Sequence, residues 1–138
     1  MAALDDLIQR HPRLFRGEFP AIASWVPEGW APLVEELFDA IEALLDDGQA
    51  MRLEIRQIKE KFGSLRVYSQ LHPSPGSDEL SEADVALHRQ VMRLVQAAEK
   101  RSLLLCEACG APSELRSVVV WMTTRCDRCL PPGIPGAP

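Results

Sequence analysis

At 138 residues, with 46% apolar and 25% charged side chains, the chain is long enough to close one hydrophobic core and too apolar for wholesale disorder. A formal charge of −5 weighs against a general affinity for nucleic acid or anionic lipid and favours basic partners. No run approaches the roughly 20 apolar residues that span a bilayer, and the opening MAALDDLIQR carries two acids where an export signal carries bases, so the expectation is a cytoplasmic protein free of the membrane.

In chain order, Ala3 to about His11 reads as a short helix, followed by an irregular wrapping stretch with Pro12, Phe15, Phe19, Pro20, Trp25 and Pro27. From Trp30 to Asp47 apolar residues recur at three and four, the spacing that gathers one stripe on one helical face. Pro32 suits the first turn and Gly48 the stop. Met51, Leu53 and Ile55 alternate with Arg52, Glu54 and Arg56, as a strand with one buried face does. Leu65, Val67 and Leu71 resume the alternation after KEKFG, so the pair predicts a β-hairpin turning at Gly63, with a bulge near Gln57.

The turn-rich HPSPGSD then leads to Ser81 and Asp84, a capping-box pattern that predicts a long helix to about Ser102 with His88 on its inner face. Leu115 to Trp121, with three consecutive valines, is a strand candidate. The expected architecture is one α+β domain over residues 1–130: two long helices packed on a β-hairpin, with a C-terminal zinc-ribbon-like module at about 103–130. Residues 131–138, rich in Pro and Gly, are expected to be a disordered tail.

The clearest chemical signal is Cys106, Cys109, Cys126 and Cys129: two CxxC pairs separated by sixteen residues. Two residues between cysteines let one tight turn aim both sulfurs at a single ion, and the spacing falls in the range of four-thiolate zinc sites. Four thiolates fill a tetrahedral ion and leave no position for water, so the expected cofactor is structural zinc and not catalytic zinc. Reduced or paired cysteines are the bland alternative. A thioredoxin-like redox role needs only one CxxC, and the HxE and PCxxC signature of zinc deaminases is absent.

The helix from Trp30 to Asp47 holds six acids and no base, and Glu35, Asp39, Glu42 and Asp46 recur at four, three and four. Like charges at that spacing repel by about 0.2–0.5 kcal/mol per pair, so stability alone does not select the arrangement. Either it is a solvated face or it docks a basic protein, with charge steering the encounter and fixing register. Trp25 joins these as a candidate aromatic anchor, with core packing as its alternative. The hairpin is the basic counterpart, with Arg52, Arg56, Lys59, Lys61 and Arg66; it either contacts phosphates or neutralises the acidic helix within the fold. His11 and His72 show no recognisable partner, and no catalytic arrangement of Ser, His and Asp, phosphate-cradling loop or carboxylate pair stands out.

GW at Gly29 and Trp30, IKEKFGSLRVY from Ile58 to Tyr68, and CEACG from Cys106 to Gly110 together resemble a group of small, largely uncharacterised bacterial and phage-associated proteins. That resemblance spans about Trp25 to Cys129 and carries no catalytic residues; Val67 stands where the group commonly has an aromatic. The function expected from these features is a non-enzymatic, zinc-stabilised protein-binding domain, such as a toxin-neutralising immunity or antitoxin protein that binds a basic partner through its acidic helix. The alternative is a phage-type accessory protein touching nucleic acid through the basic hairpin and zinc ribbon.

Overall fold

The computed structural model describes residues 2–16, 22–118 and 121–134 and shows an α+β fold. Its helices are α1 (Ala2–Arg10), α2 (Ala31–Leu44), α3 (Asp47–Arg52) and α4 (Glu82–Ser102). Its strands are β1 (Leu53–Lys61), β2 (Ser64–Leu71), β3 (Arg116–Val118) and β4 (Trp121–Thr123), paired as two antiparallel hairpins. Phe19 and Pro20 of the wrapping stretch, Val119 and Val120 of the strand candidate, and the end of the proline-rich tail lie outside the described residues. Within that tail, Ile134 N–H donates to the Pro131 carbonyl at 3.2 Å to form a turn.

The acidic helix is shorter than its periodicity predicts. It ends at Leu44, and Leu45 is extended at φ −110° and ψ 133°. Asp46 then starts α3: its side chain accepts from Gln49 N–H at 2.7 Å, while the Gln49 side chain accepts from Asp46 N–H at 2.9 Å. That reciprocal cap satisfies two donors a helix start otherwise leaves open. Met51 and Arg52, expected in a strand, therefore close a helical turn, and Gly48 lies inside it.

β1 begins at Leu53, and its register against β2 slips between Ile55 and Gln57, which leaves Arg56 as the extra residue. This is the bulge expected one residue later, and it lets Ile55 and Ile58 both face inward. Phe62 and Gly63 make the turn with φ 54° and 80°. Two positive values match the twist of the strands they join, and they place a bulky residue where glycine is the easier fit.

An isolated two-stranded sheet is marginal in water and leaves two raw edges; here both edges are used. Trp25 N–H donates to the Ile58 carbonyl, Ile58 N–H to Ser24 Oγ, and the Gln57 side-chain amide to the Ala23 carbonyl, all at 2.9–3.0 Å. On the other edge, Leu65 N–H donates to Ser102 Oγ at 3.0 Å and Val67 N–H to Glu99 Oε2 at 3.2 Å, both acceptors from α4. Burial pushes the Glu99 carboxyl above its ordinary value, against the pull of Val67 N–H and Arg66.

The capping box expected at Ser81 and Asp84 is present, each bonded to the other's N–H at 3.1 Å. Asp84 also meets Arg52 at 2.7 Å, and that guanidinium, with Ser81, holds the carboxyl below its usual range. α4 packs on β2 and α2 through Val91, Val95 and Ala98, closing a core with Trp30, Val34, Phe38, Ile41, Leu53, Ile55, Ile58 and Leu65. His88, expected on the inner face, is half-buried: its Nε2 lies 3.2 Å from Ser69 Oγ, and desolvation lowers its pKa. The single strand expected at 115–121 is instead the short β3–β4 ribbon, in which Arg116 pairs with Thr123 and Val118 with Trp121.

Candidate metal centre

All four cysteines are free thiols, and their Sγ atoms lie within 4.8 Å of one another. Two local turns aim them. In the first, Gly110 N–H returns to the Cys106 carbonyl at 2.8 Å, Cys106 N–H donates to the Ala111 carbonyl at 2.8 Å, and Gly110 takes φ +80°. In the second, residues 127–129 form a 3₁₀ turn, with Cys129 N–H on the Cys126 carbonyl at 2.9 Å. The β3–β4 ribbon is the return path that brings one turn to the other.

The Sγ atoms of Cys109 and Cys126 are 3.7 Å apart. Sulfurs bound about 2.3 Å from a tetrahedral zinc ion stand about 3.8 Å from each other, so this edge already has the length a shared ion requires. Cys106 is buried, yet its thiol falls to about 6: burial pushes it up, and the N–H groups of Cys126, Cys109 and Ala108 more than offset that. Two of those donors lie 3.3 and 3.4 Å from its Sγ. Cys129, hydrogen-bonded to the Cys126 and Cys109 thiols, is pushed up to about 12. Four thiols packed together lose their protons unequally, and a cation among them favours the loss of all four.

The two turns are also clasped outside the sulfurs. Arg125 Nε donates to Glu107 Oε1 at 3.2 Å, and Arg116 meets Asp127 at 2.9 Å. Sequence reading did not single out Glu107 or Arg125, because nothing but proximity to the CxxC pairs marks them and their partnership spans eighteen residues.

The module is seated on the core through glycine. Gly29 N–H donates to the Glu107 carbonyl at 2.9 Å, and a Cβ at Gly29 would lie 2.1 Å from the Cys106 carbonyl oxygen and 2.6 Å from Gly110 N. Next to it, Trp30, fully buried, donates from Nε1 to the Leu105 carbonyl at 3.0 Å. Gly29→Ala is therefore expected to destabilise the protein by about 1–3 kcal/mol, the usual cost of overfilling a packed contact, read as a drop in the urea midpoint at unchanged slope. A midpoint equal to the wild type would mean that this approach is not tight.

The acidic stripe is divided. Glu35 and Glu42 point toward His11, which is buried at 2% exposure: its Nδ1 bonds Glu42, and its Nε2 lies 3.2 Å from Glu35. Arg10 reaches Glu35 at 3.4 Å and Arg13 reaches Glu42 at 3.1 Å. The neutralising charges thus come from the segment before α2, where the run Arg10-His11-Pro12-Arg13 was the available signal, and not from the hairpin. Asp39 and Asp46 remain exposed, as do Glu36 and Asp47; Glu36 meets Arg101 at 3.3 Å and Asp47 meets Arg13 at 2.8 Å. Trp25 is 38% exposed. On the hairpin, Arg52 is held by Asp84 and Arg56 lies near Gln70 and Glu54. His72, which showed no partner in sequence, bonds Glu54 at 2.8 Å.

Among the described residues no helix is long and apolar enough to cross a membrane. Comparison with protein-family models, curated proteins and solved structures finds no match to this chain.

Proposed function

We propose that the chain is a zinc-stabilised protein-binding domain without a reaction of its own, of the kind that neutralises a toxin as an immunity or antitoxin protein. The four-sulfur cluster within 4.8 Å, free of disulfides, supports the metal-stabilised part of this reading, and the exposed acids of α2 and α3 support the protein-binding part. Four thiolates satisfy a zinc ion completely, so it fastens the chain and activates no water. The working surface is the outer side of α2 and the start of α3, where Glu36, Asp46 and Asp47 are exposed, beside Asp39. A basic partner fits that surface, and its charge would speed association more than it would tighten the final complex.

The test is affinity capture from the native host, followed by binding kinetics on any partner recovered. Replacing Glu36, Asp46 and Asp47 by Gln, Asn and Asn keeps a competent cap at position 46, and association is expected to slow about tenfold at low salt. A captured partner that binds the triple variant at the wild-type rate, or capture of no protein at all, would refute the proposal. Of the hairpin bases offered by the nucleic-acid alternative, Arg52 is drawn onto Asp84 with its side chain 16% exposed.

A further inference from the structure

A second constellation lies away from the cysteines, where the start of the chain crosses α2. His11 sits 3.2 Å from Glu35 Oε2 and 3.5 Å from Asp39 Oδ1, both measured from Nε2, while Nδ1 is bonded to Glu42. The His11 side chain is only 3% exposed. A neutral imidazole carries one N–H. With that proton on Nδ1 toward Glu42, the Nε2 lone pair faces two carboxylate oxygens at once, an arrangement that repels unless a cation lies between them. With both nitrogens protonated the ring is instead an imidazolium paired with Glu42 and Glu35, and the titration below separates that state from a bound cation.

The spacing has a second reading. Ligands held about 2.0–2.1 Å from a tetrahedral first-row ion stand about 3.3–3.4 Å apart, close to both distances measured from Nε2. Glu35 and Asp39 are four residues apart on α2 and so share one face, and all three ligand atoms lie within 4.8 Å of one another. Glu42 supplies what metal-bound histidines almost always have, an acceptor on the other ring nitrogen that fixes the tautomer and ring orientation, here a carboxylate. We propose that His11, Glu35 and Asp39 form a binding site for a divalent first-row cation, oriented by Glu42 and distinct from the four-cysteine centre.

Charge supports the assignment. A divalent ion is neutralised by Glu35 and Asp39, while Glu42 is balanced by Arg13, at 3.1 Å. Arg13 in turn also reaches Asp47 at 2.8 Å. Among the described residues Arg10, 3.4 Å from Glu35 Oε2 and 62% exposed, competes for a ligand oxygen, and its exposure lets it turn into solvent. Three protein ligands leave room for water or an external donor. An open cleft of about 490 Å³ shares Glu35 and Arg10 with the cluster and continues along Ala3, Asp6 and Glu28, so the ion is reachable from outside. The oxygen-rich set suits manganese, iron, cobalt or zinc ions that retain water, in contrast to the closed all-sulfur set.

The full chain, purified with one zinc equivalent retained, is titrated with cobalt(II) by calorimetry and visible absorption. One further equivalent is expected, with the weak absorption of oxygen and nitrogen ligation and without the intense sulfur-to-cobalt bands. Asp39→Asn, at an exposed position, is expected to weaken that second binding at least tenfold while the zinc content stays at one; His11→Gln should abolish it if the variant folds. Absence of a second equivalent in the wild type, or equal cobalt uptake by Asp39→Asn, overturns the assignment. The zinc count taken in the same samples reports separately on the cysteine centre.

Discussion

Removing the proposed zinc ion with a strong chelator, or replacing Cys106 with serine, is expected to unfold residues 103–130 while leaving the α2–hairpin–α4 core protected from amide exchange. That core has its own apolar contacts in Trp30, Phe38, Ile41, Ile55, Ile58 and Val95. The C-terminal segment has fewer apolar contacts of its own: a ribbon of two three-residue strands, the Glu107–Arg125 and Arg116–Asp127 pairs, the buried Leu130, the exposed Leu104, Leu115 and Met122, and its seats against Gly29 and Gly63. Structural zinc in small thiolate modules contributes about 10–16 kcal/mol of apparent binding energy at neutral pH, far more than such a ribbon supplies by packing. Hydrogen exchange followed by mass spectrometry distinguishes the outcomes. Protection lost only after Ser102 supports a folding ion, and unchanged protection after metal removal would show the segment to be held by other means.

Trp30→Ala is the second large effect. The side chain is fully buried in the core, and its indole N–H is the donor for the Leu105 carbonyl beside the first cysteine turn. Truncating a buried tryptophan costs about 3–5 kcal/mol, a large fraction of the stability of a domain this size. Trp30→Phe keeps most of the ring and leaves the carbonyl unpaired, for which about 1–3 kcal/mol is expected. Urea unfolding followed by circular dichroism gives both values. Because Leu105 immediately precedes Cys106, both variants are also expected to weaken zinc retention in a chelator competition, Ala more than Phe. Equal stability of the two would mean that the indole nitrogen, and not the volume, carries the contact.

Much of this fold is written locally. The Ser81–Asp84 cap, the alternation through Leu65 and Val67, the bulge beside Gln57 and the CxxC turns each depend on residues within a few positions, and each is present within one residue of its expected place. The end of α2 departs from its periodicity because the apolar spacing runs on through Leu44 and Leu45, while the chain obeys the Asp46–Gln49 cap, which restarts a helix and consumes Met51 and Arg52. His11 is the opposite kind of failure. Its partners lie 24 to 31 residues away, and no local pattern distinguishes a loop histidine from one enclosed by carboxylates. The acidic stripe was visible as a like-charge conflict on one helix, but its resolution by Arg10, His11 and Arg13 belongs to tertiary structure.

Gly63, like Gly29, lies against the C-terminal module: a Cβ there would fall 2.5 Å from Leu115 Cδ1 and 3.2 Å from Thr123 Cα. The module is thus gripped at two separated points, by the turn that precedes α2 and by the hairpin tip, over surfaces where even a methyl group does not fit. Such a piece is not portable. Cut out at Leu103 and fused elsewhere, it would lose both cradles, so lineages that kept the cysteines would be under pressure to keep the two glycines with them.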